Sequence, residues 1–341
     1  MKKSLLALAI FGAFAGTASA QSSVTVYGIV DTGFSSTDVG GNNGRATGIE
    51  SSGQSTSRFG FKGTEDLGGG MKAIFQLENG IKTDDGTAGT TSAFDRISII
   101  GLEGSFGAVK LGRQQSVTKN AYDAIDPFSD SGSIGPISKI FFNAKGPGRD
   151  SNSIKYSTPS FAGFKAQAEY AFGEVTGDTG ANSQASVGLG YKNGPLNVQF
   201  AYNSKDTSNA TPTTTMDSDV AFLGATYNFG AFTLHGAYAN TKFDDKTAVN
   251  ADTEFNNGMI GVTVPFGAST VYATYAVNNN KDVSNSDSQR IALLYTYSLS
   301  KRTNLYTGYA RTSNDDKAKL SGAAANGENV TTYNLGIRHK F

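Results

Sequence analysis

Residues 184–202 read Gln-Ala-Ser-Val-Gly-Leu-Gly-Tyr-Lys-Asn-Gly-Pro-Leu-Asn-Val-Gln-Phe-Ala-Tyr. Ala185, Val187, Leu189 and Tyr191 take every second position, and Ser186, Gly188, Gly190 and Lys192 fill the gaps. Asn193-Gly194-Pro195 interrupts. Leu196, Val198, Phe200 and Tyr202 then alternate with Asn197, Gln199, Ala201 and Asn203. Side chains along a strand point alternately to its two faces. Each run therefore has one apolar and one polar face, and the tight turn between them makes an antiparallel hairpin.

The same alternation extends in both directions. Met71, Ala73, Phe75 and Leu77 oppose Lys72, Gln76 and Glu78. Phe164, Ala166, Ala168, Tyr170 and Phe172 oppose Lys165, Gln167 and Glu169. The last run sets Tyr333, Leu335, Ile337, His339 and Phe341 against Thr332, Asn334, Arg338 and Lys340. Sixteen strands are predicted, near 23–36, 54–64, 71–83, 94–105, 107–117, 151–159, 164–174, 184–193, 195–205, 217–229, 231–243, 253–266, 268–280, 287–300, 301–313 and 329–341. Faces are ambiguous in the first, fourth, thirteenth and fifteenth. Short turns such as 193–194, 229–230 and 266–267 alternate with longer polar connections after residues 36, 83, 117, 174, 205, 243, 280 and 313. Short turns on one rim and long loops on the other are the arrangement of a transmembrane barrel. Closure removes the strand edges that lipid cannot satisfy. The predicted class is all-β, a sixteen-stranded antiparallel transmembrane β-barrel.

Composition now reads differently. With 38% hydrophobic and 17% charged residues and a negative mean hydropathy, the chain looks soluble by average. Divided between two faces, the same residues supply one surface for lipid and one for water. Tyr170, Phe172, Tyr227, Phe229 and Tyr297 lie at strand ends, where interfacial aromatic girdles sit. Lys+Arg and Asp+Glu number 29 each, so no net charge draws the chain to nucleic acid. The absence of Cys excludes disulfides, thiolate metal sites and Cys nucleophiles. Two His, at 235 and 339, leave little room for a His metal site or a Ser-His-Asp set. No cofactor and no metal are expected.

Residues 1–20 carry Lys2 and Lys3, an apolar run from Leu5 to Gly16, and Ala18-Ser19-Ala20. A basic start, a short apolar stretch and an A-x-A cleavage site make a signal peptide. Cleavage leaves 21–341 as the barrel domain, exported to a compartment where stray thiols are a liability.

Several stretches resemble one family. They are Gln21-Ser-Ser-Val-Thr-Val-Tyr-Gly-Ile-Val-Asp31, Ser57-Arg58-Phe-Gly-Phe-Lys-Gly-Thr-Glu-Asp-Leu-Gly-Gly-Gly70, Gly107-Ala-Val-Lys-Leu-Gly-Arg113, Tyr156-Ser-Thr-Pro159, Leu299-Ser-Lys-Arg302 and Gly336-Ile-Arg-His-Lys-Phe341. Together they resemble the general diffusion porins of Gram-negative outer membranes, of the beta-proteobacterial type, over the whole mature chain. The resemblance implies a water-filled channel for ions and small hydrophilic solutes, a homotrimer, and an inward-folded third long loop. It implies Phe341 as the signal read by the barrel-assembly machinery, and outer-membrane lipid with lipopolysaccharide as surroundings. It also implies a cluster of arginines at the constriction, mapping onto Arg58, Arg96 opening the fourth strand, and Arg149, with Arg113 as an extra candidate.

The residues themselves support a constriction. The third long connection, about 118–150, is the longest, and loops beyond ~12–15 residues are usually functional or disordered. It holds Asp123, Asp126 and Asp130, then Lys139, Lys145 and Arg149. Ile134, Ile137, Ile140, Phe141 and Phe142 argue that it packs. On the opposing wall, parity points Arg58 and Lys62 inward if Phe59 and Phe61 face lipid, and Lys72 and Lys165 likewise. Rings of Arg and Lys favour anions, and low-dielectric walls focus their field. Basic wall residues facing loop carboxylates predict a transverse field and passive diffusion with moderate anion preference.

Other signals carry less. Gly188-Leu-Gly-Tyr-Lys-Asn-Gly194 has its third glycine one place late for a dinucleotide loop, and no helix follows. Asp84-Asp85, Asp217/Asp219 and Asp244-Asp245 read as solvated external loops, with peripheral calcium as the alternative. A substrate-specific channel would need an aromatic track inside the pore. A barrel enzyme such as a lipase would need a Ser/His/Asp set that two His poorly supply. An adhesin would rely on the long loops.

Overall fold

The computed structural model describes residues 23–142, 146–207, 216–245 and 252–341; the predicted leader 1–20 and Lys145 lie outside them. The strands are β1 (Ser23–Asp38), β2 (Arg45–Ser51), β3 (Arg58–Gly68), β4 (Met71–Gly80), β5 (Ile97–Gly104), β6 (Gly107–Gln115), β7 (Arg149–Ser157), β8 (Phe164–Ala171) and β9 (Gln184–Asn193). They continue as β10 (Leu196–Lys205), β11 (Met216–Asn228), β12 (Thr233–Asp245), β13 (Thr253–Phe266), β14 (Ser269–Asn280), β15 (Ser288–Ser298), β16 (Thr303–Asn314) and β17 (Val330–Lys340). Two short helices, α1 (Val117–Asp123) and α2 (Ser138–Phe141), lie between β6 and β7.

Consecutive strands other than β2 and β3 pair antiparallel, and β1 closes the ring against β17 from Ile29↔Lys340 to Asp38↔Thr331. On its other side β1 pairs twice. Ser23–Ile29 pairs with β3, and Thr32–Asp38 with β2. Strands β2 and β3 are thus two halves of one stave, parted by residues 52–57, and the seventeen strands occupy sixteen positions around the barrel. This corrects one expectation. The connection after residue 36 is not long: β1 runs on to Asp38, and the chain turns through 39–44 into β2. The polar, Gly- and Ser-rich composition of 39–53 concealed that half-strand.

The hairpin over 184–202 forms in the expected register, from Leu196↔Asn193 to Lys205↔Gln184. Its apolar face is the exposed one. Val187, Leu189 and Phe200 are 49%, 48% and 44% exposed, whereas Ala201 and Asn203 are buried. Strand β15 repeats the rule, with Ile291, Leu293, Tyr295 and Tyr297 exposed and Arg290, Ala292 and Thr296 buried. An apolar exterior around a polar interior reverses the ordinary globular arrangement and suits a bilayer. The first strand, ambiguous by sequence, resolves the same way: Val24, Val26, Val30 and Phe34 are exposed and Asp31 is buried.

The core lies on the polar side. Ala121, Tyr122, Ile125, Ile137, Ile140, Phe141 and Phe142 of the β6–β7 connection pack with Ala201, Val220, Phe222, Ala239, Met259 and Ala276. Phe128 and Ile134 pack with Ala292, Leu294, Tyr306 and Ala310. These wall residues belong to β10–β16 and sit opposite the exposed apolar side chains of the same strands.

Candidate functional site

Helix α1 starts the β6–β7 connection because Ser116 caps it. Its side chain accepts from the Lys119 amide at 3.0 Å, as N-cap serines do. One turn later Lys119 Nζ meets Asp123 Oδ1 at 2.9 Å, an i,i+4 pair. The same ammonium reaches Asp130 Oδ2 at 2.8 Å and lies 4.8 Å over the Tyr122 ring. Two of the three predicted loop carboxylates therefore share one cation. The third, Asp126, is buried and faces the backbone: Oδ1 accepts from the Phe128 amide at 3.0 Å, and Oδ2 from Asp130 and Ile137 at 3.0 and 2.9 Å. It shapes the turn rather than lining the cavity. Burial pushes Asp123 up to about 6, with Lys119 opposing it. Burial and then Asp130 push Asp126 up to about 7. Lys139 donates to the Ser133 carbonyl at 2.9 Å, and burial lowers it to about 8.

A cavity of about 680 Å³ lies between this connection and the wall. Arg58, Arg96, Arg149, Arg338 and Lys340 line it on the wall side; Lys119, Asp123 and Asp130 line it on the loop side. Arg58 opens β3 and Arg149 opens β7, while Arg96 stands just before β5, which begins at Ile97 rather than at 94. Strand β1 brings the chain's ends together: Ile29 pairs with Arg58 on one side and Lys340 on the other, and Asp31 pairs with Arg338. Lys62 and Lys72 are not among the lining residues. Lys62 Nζ lies 5.3 Å over the Tyr27 ring, and Lys72 pairs in register with Asp66 and Glu103 near the short turns. Arg113, at the bulge between Gly112 and Gln114, is not among the lining residues and donates to the Asp95 carbonyl and to Ser151 Oγ.

Sequence reasoning missed the carboxylate inside the basic belt. Glu78 is buried; Oε1 accepts from Arg96 Nε at 2.7 Å, Oε2 accepts from the Tyr27 hydroxyl at 2.9 Å, and Arg58 Nε lies 3.8 Å away. Gln76 donates to the Tyr27 oxygen at 2.6 Å. Glu78 shares the inward parity of Lys72 and Gln76, so the signal was present. Arg338 and Lys340 carried the same signal on the last strand. Arg149 Nε is buried without a hydrogen-bond partner among the described residues.

His235 Nδ1 donates to the Ile125 carbonyl at 2.6 Å, and its Nε2 lies 3.1 Å from Thr263 Oγ1, which ties the connection to the wall. His339 is exposed, 2.8 Å from Thr303 Oγ1. Neither has the partners of a hydrolytic set. Phe341 pairs with Gly28 through two backbone hydrogen bonds of 3.1 Å, and its ring fills the place where a Gly28 side chain would stand.

The Gram-negative porin family profile matches residues 5–317. Outer membrane porin protein 32 of Delftia acidovorans is 40% identical over 359 residues, covering 100% of both chains. An outer membrane porin protein of Bordetella pertussis is 33% identical, again over 100% of both. An anion-selective porin from Comamonas acidovorans superposes with a TM-score of 0.83 at 36% identity, over 94% of this chain and 100% of that one.

Proposed function

From the membership of this chain in the Gram-negative porin family, we infer that it conducts anions in preference to cations through a constriction built from the residues above. The protein is an outer-membrane porin, a β-barrel channel and not an enzyme. The observation that carries the selectivity is the lining of one cavity by Arg58, Arg96, Arg149, Arg338 and Lys340, with Glu78 the buried carboxylate among them. Rings of Arg and Lys attract anions, and a narrow low-dielectric passage focuses that attraction.

In this reading the described residues 116–142 and 146–148 of the third long connection fold into the lumen and narrow it. The packing of its apolar side chains on β10–β16 supports that. Asp123 and Asp130 face the arginines but are partly neutralised by Lys119, so the transverse field is weaker than three free carboxylates would make it. Ions and small hydrophilic solutes pass by diffusion. The working unit is a homotrimer in outer-membrane lipid and lipopolysaccharide, reached through a cleaved 1–20 leader and assembly on the terminal Phe341. The Comamonas acidovorans porin, anion-selective by its title, supports the same sign.

Single-channel recording in planar bilayers under a salt gradient tests this. The reversal potential is expected on the anion side, and Arg58→Glu is expected to shift it toward cations. An unchanged potential in the variant refutes the assignment of Arg58.

A further inference from the structure

The stave shared by β2 and β3 is broken by residues 52–57, and hydrogen bonds to β1 hold this insertion. Asp31, fully buried on β1, holds it with both main chain and side chain. The Asp31 carbonyl accepts from the Ser52 amide at 2.8 Å and from Ser57 Oγ at 3.0 Å. Its Oδ2 accepts from the Gln54 and Ser55 amides at 3.0 and 2.6 Å, and its Oδ1 accepts from the Tyr306 hydroxyl at 2.6 Å. A carboxylate that takes two amides and a phenol is a strong, geometrically specific clamp. No side chain fits at Gly53, where a Cβ would meet the Tyr306 hydroxyl.

The clamped insertion makes two further sets of contacts. Gln54, Ser55 and Thr56 line the same cavity as Arg58. Ser55 Oγ accepts from Arg338 Nη1 at 2.8 Å and so helps to aim one of the basic belt. The insertion also seats the tip of the 116–148 segment. Ser131 Oγ accepts from the Thr56 amide at 3.0 Å, and the Gly53 carbonyl accepts from the Ser133 amide at 3.0 Å. Gly132 lies so close to the Gln54 carbonyl that a Cβ would clash, and its φ of 78° is the left-handed region.

We propose that residues 52–57 are a second constricting element of the pore, and that Asp31 is the positioning residue that holds them and, through them, the loop tip. This rests on the reading of segment 116–148 as the pore's constriction. The narrow section is then bounded on two sides, and its width depends on a residue that touches no solute.

The chain has no Cys, so the pair Thr56→Cys with Ser131→Cys introduces the only thiols. Asp31→Asn is expected to raise the unit conductance and the size of the largest neutral sugar admitted in liposome swelling. Charge loss alone would not move the sugar limit. Tyr306→Phe, which removes only the hydroxyl, is expected to do the same to a smaller degree, and it carries the test if Asp31→Asn fails to show the folded, heat-modifiable band. Oxidising the cysteine pair in the Asp31→Asn background is expected to restore the native conductance, and reduction to release it. A native conductance and sugar limit in the clamp variants, failure of the disulfide to form in the otherwise native chain, or an enlarged pore that the disulfide does not narrow would each overturn the proposal. Absence of any conductance in the native protein would overturn the channel reading instead.

Discussion

Glu78 stands between two guanidinium groups, taking Arg96 at 2.7 Å while Arg58 lies 3.8 Å away. Cations this close repel one another, and a buried carboxylate between them makes their approach tolerable. Removing one partner of a buried ion pair leaves a charge unpaired and costs about 3–5 kcal/mol. Glu78→Gln is therefore expected to lower thermal stability while shifting the reversal potential further toward anions, because the belt gains a net positive charge. Recording under a salt gradient and a thermal melt in detergent read the two effects separately. The loop acids make a second residue-scale prediction. Asp123 and Asp126 are pushed up to about 6 and 7 in the docked loop. Released carboxylates titrate near 4. Between these values the docked loop keeps protons that a released loop would lose, so docking is strongest in acid and weakens as pH rises through 6 and 7. Protection factors for hydrogen exchange across 117–142, each taken relative to the base-catalysed intrinsic rate at that pH, are expected to be higher at pH 5 than at pH 8. Parity and the family resemblance both point to Arg58; parity also puts Glu78, Arg338 and Lys340 on the polar face, but nothing in the alternation says that these three converge on Arg58. Lys119 was a different case: its place between Asp123 and Asp130 depends on a turn of helix followed by a reversal at 126–130.

At the level of elements, the seat of the 116–148 segment is built from small residues. Ala201, Ala239, Ala276, Ala292 and Ala310 receive its apolar side chains. At Gly188, Gly224, Gly261 and Gly308 a Cβ would meet Val117, Ile125, Pro127 and Ile134 in turn. Close packing leaves no spare volume there. Gly224→Leu is expected to push Ile125 off the wall, break its link to His235 and change the unit conductance, with the barrel's heat-modifiable band retained. Removing the cap by Ser116→Ala is expected to cost about 1 kcal/mol of local helix stability, read as faster exchange at 117–120. The sequence carried this seat as a band of Ala and Gly on nominally polar faces. Hydropathy alternation does not distinguish these small residues from the polar ones around them, so the band has no pattern of its own. The interrupted stave escaped for a related reason: Arg45–Ser51 has one large apolar residue, Ile49, and its pairing comes from neighbouring β1 rather than from its own pattern.

Across the whole molecule, the inverted arrangement has a direct consequence. Leu189 and Gln199 lie on adjacent strands near their middles, on opposite faces. Leu189→Arg puts a charge on the lipid side, where it costs about 2–4 kcal/mol near the bilayer midplane. Gln199→Arg puts the same charge on the watered side and is expected to change stability little. Urea unfolding in phospholipid vesicles should separate the two by that margin; equal stabilities would refute the facing.

The period of two, the alternation of turn lengths and the absence of other machinery determined the barrel, its facing and its sixteen staves. These are local properties: each strand's two faces and each turn's length are written in consecutive residues. Only the tertiary structure decided which charges meet. Arg58 and Lys340 are distant in the chain yet flank the same Ile29, because ring closure pairs β1 with both β3 and β17. Likewise Asp31 reaches Tyr306 and the 52–57 insertion across that seam. Closure and loop docking are non-local, and no stretch of sequence contains the distances they set.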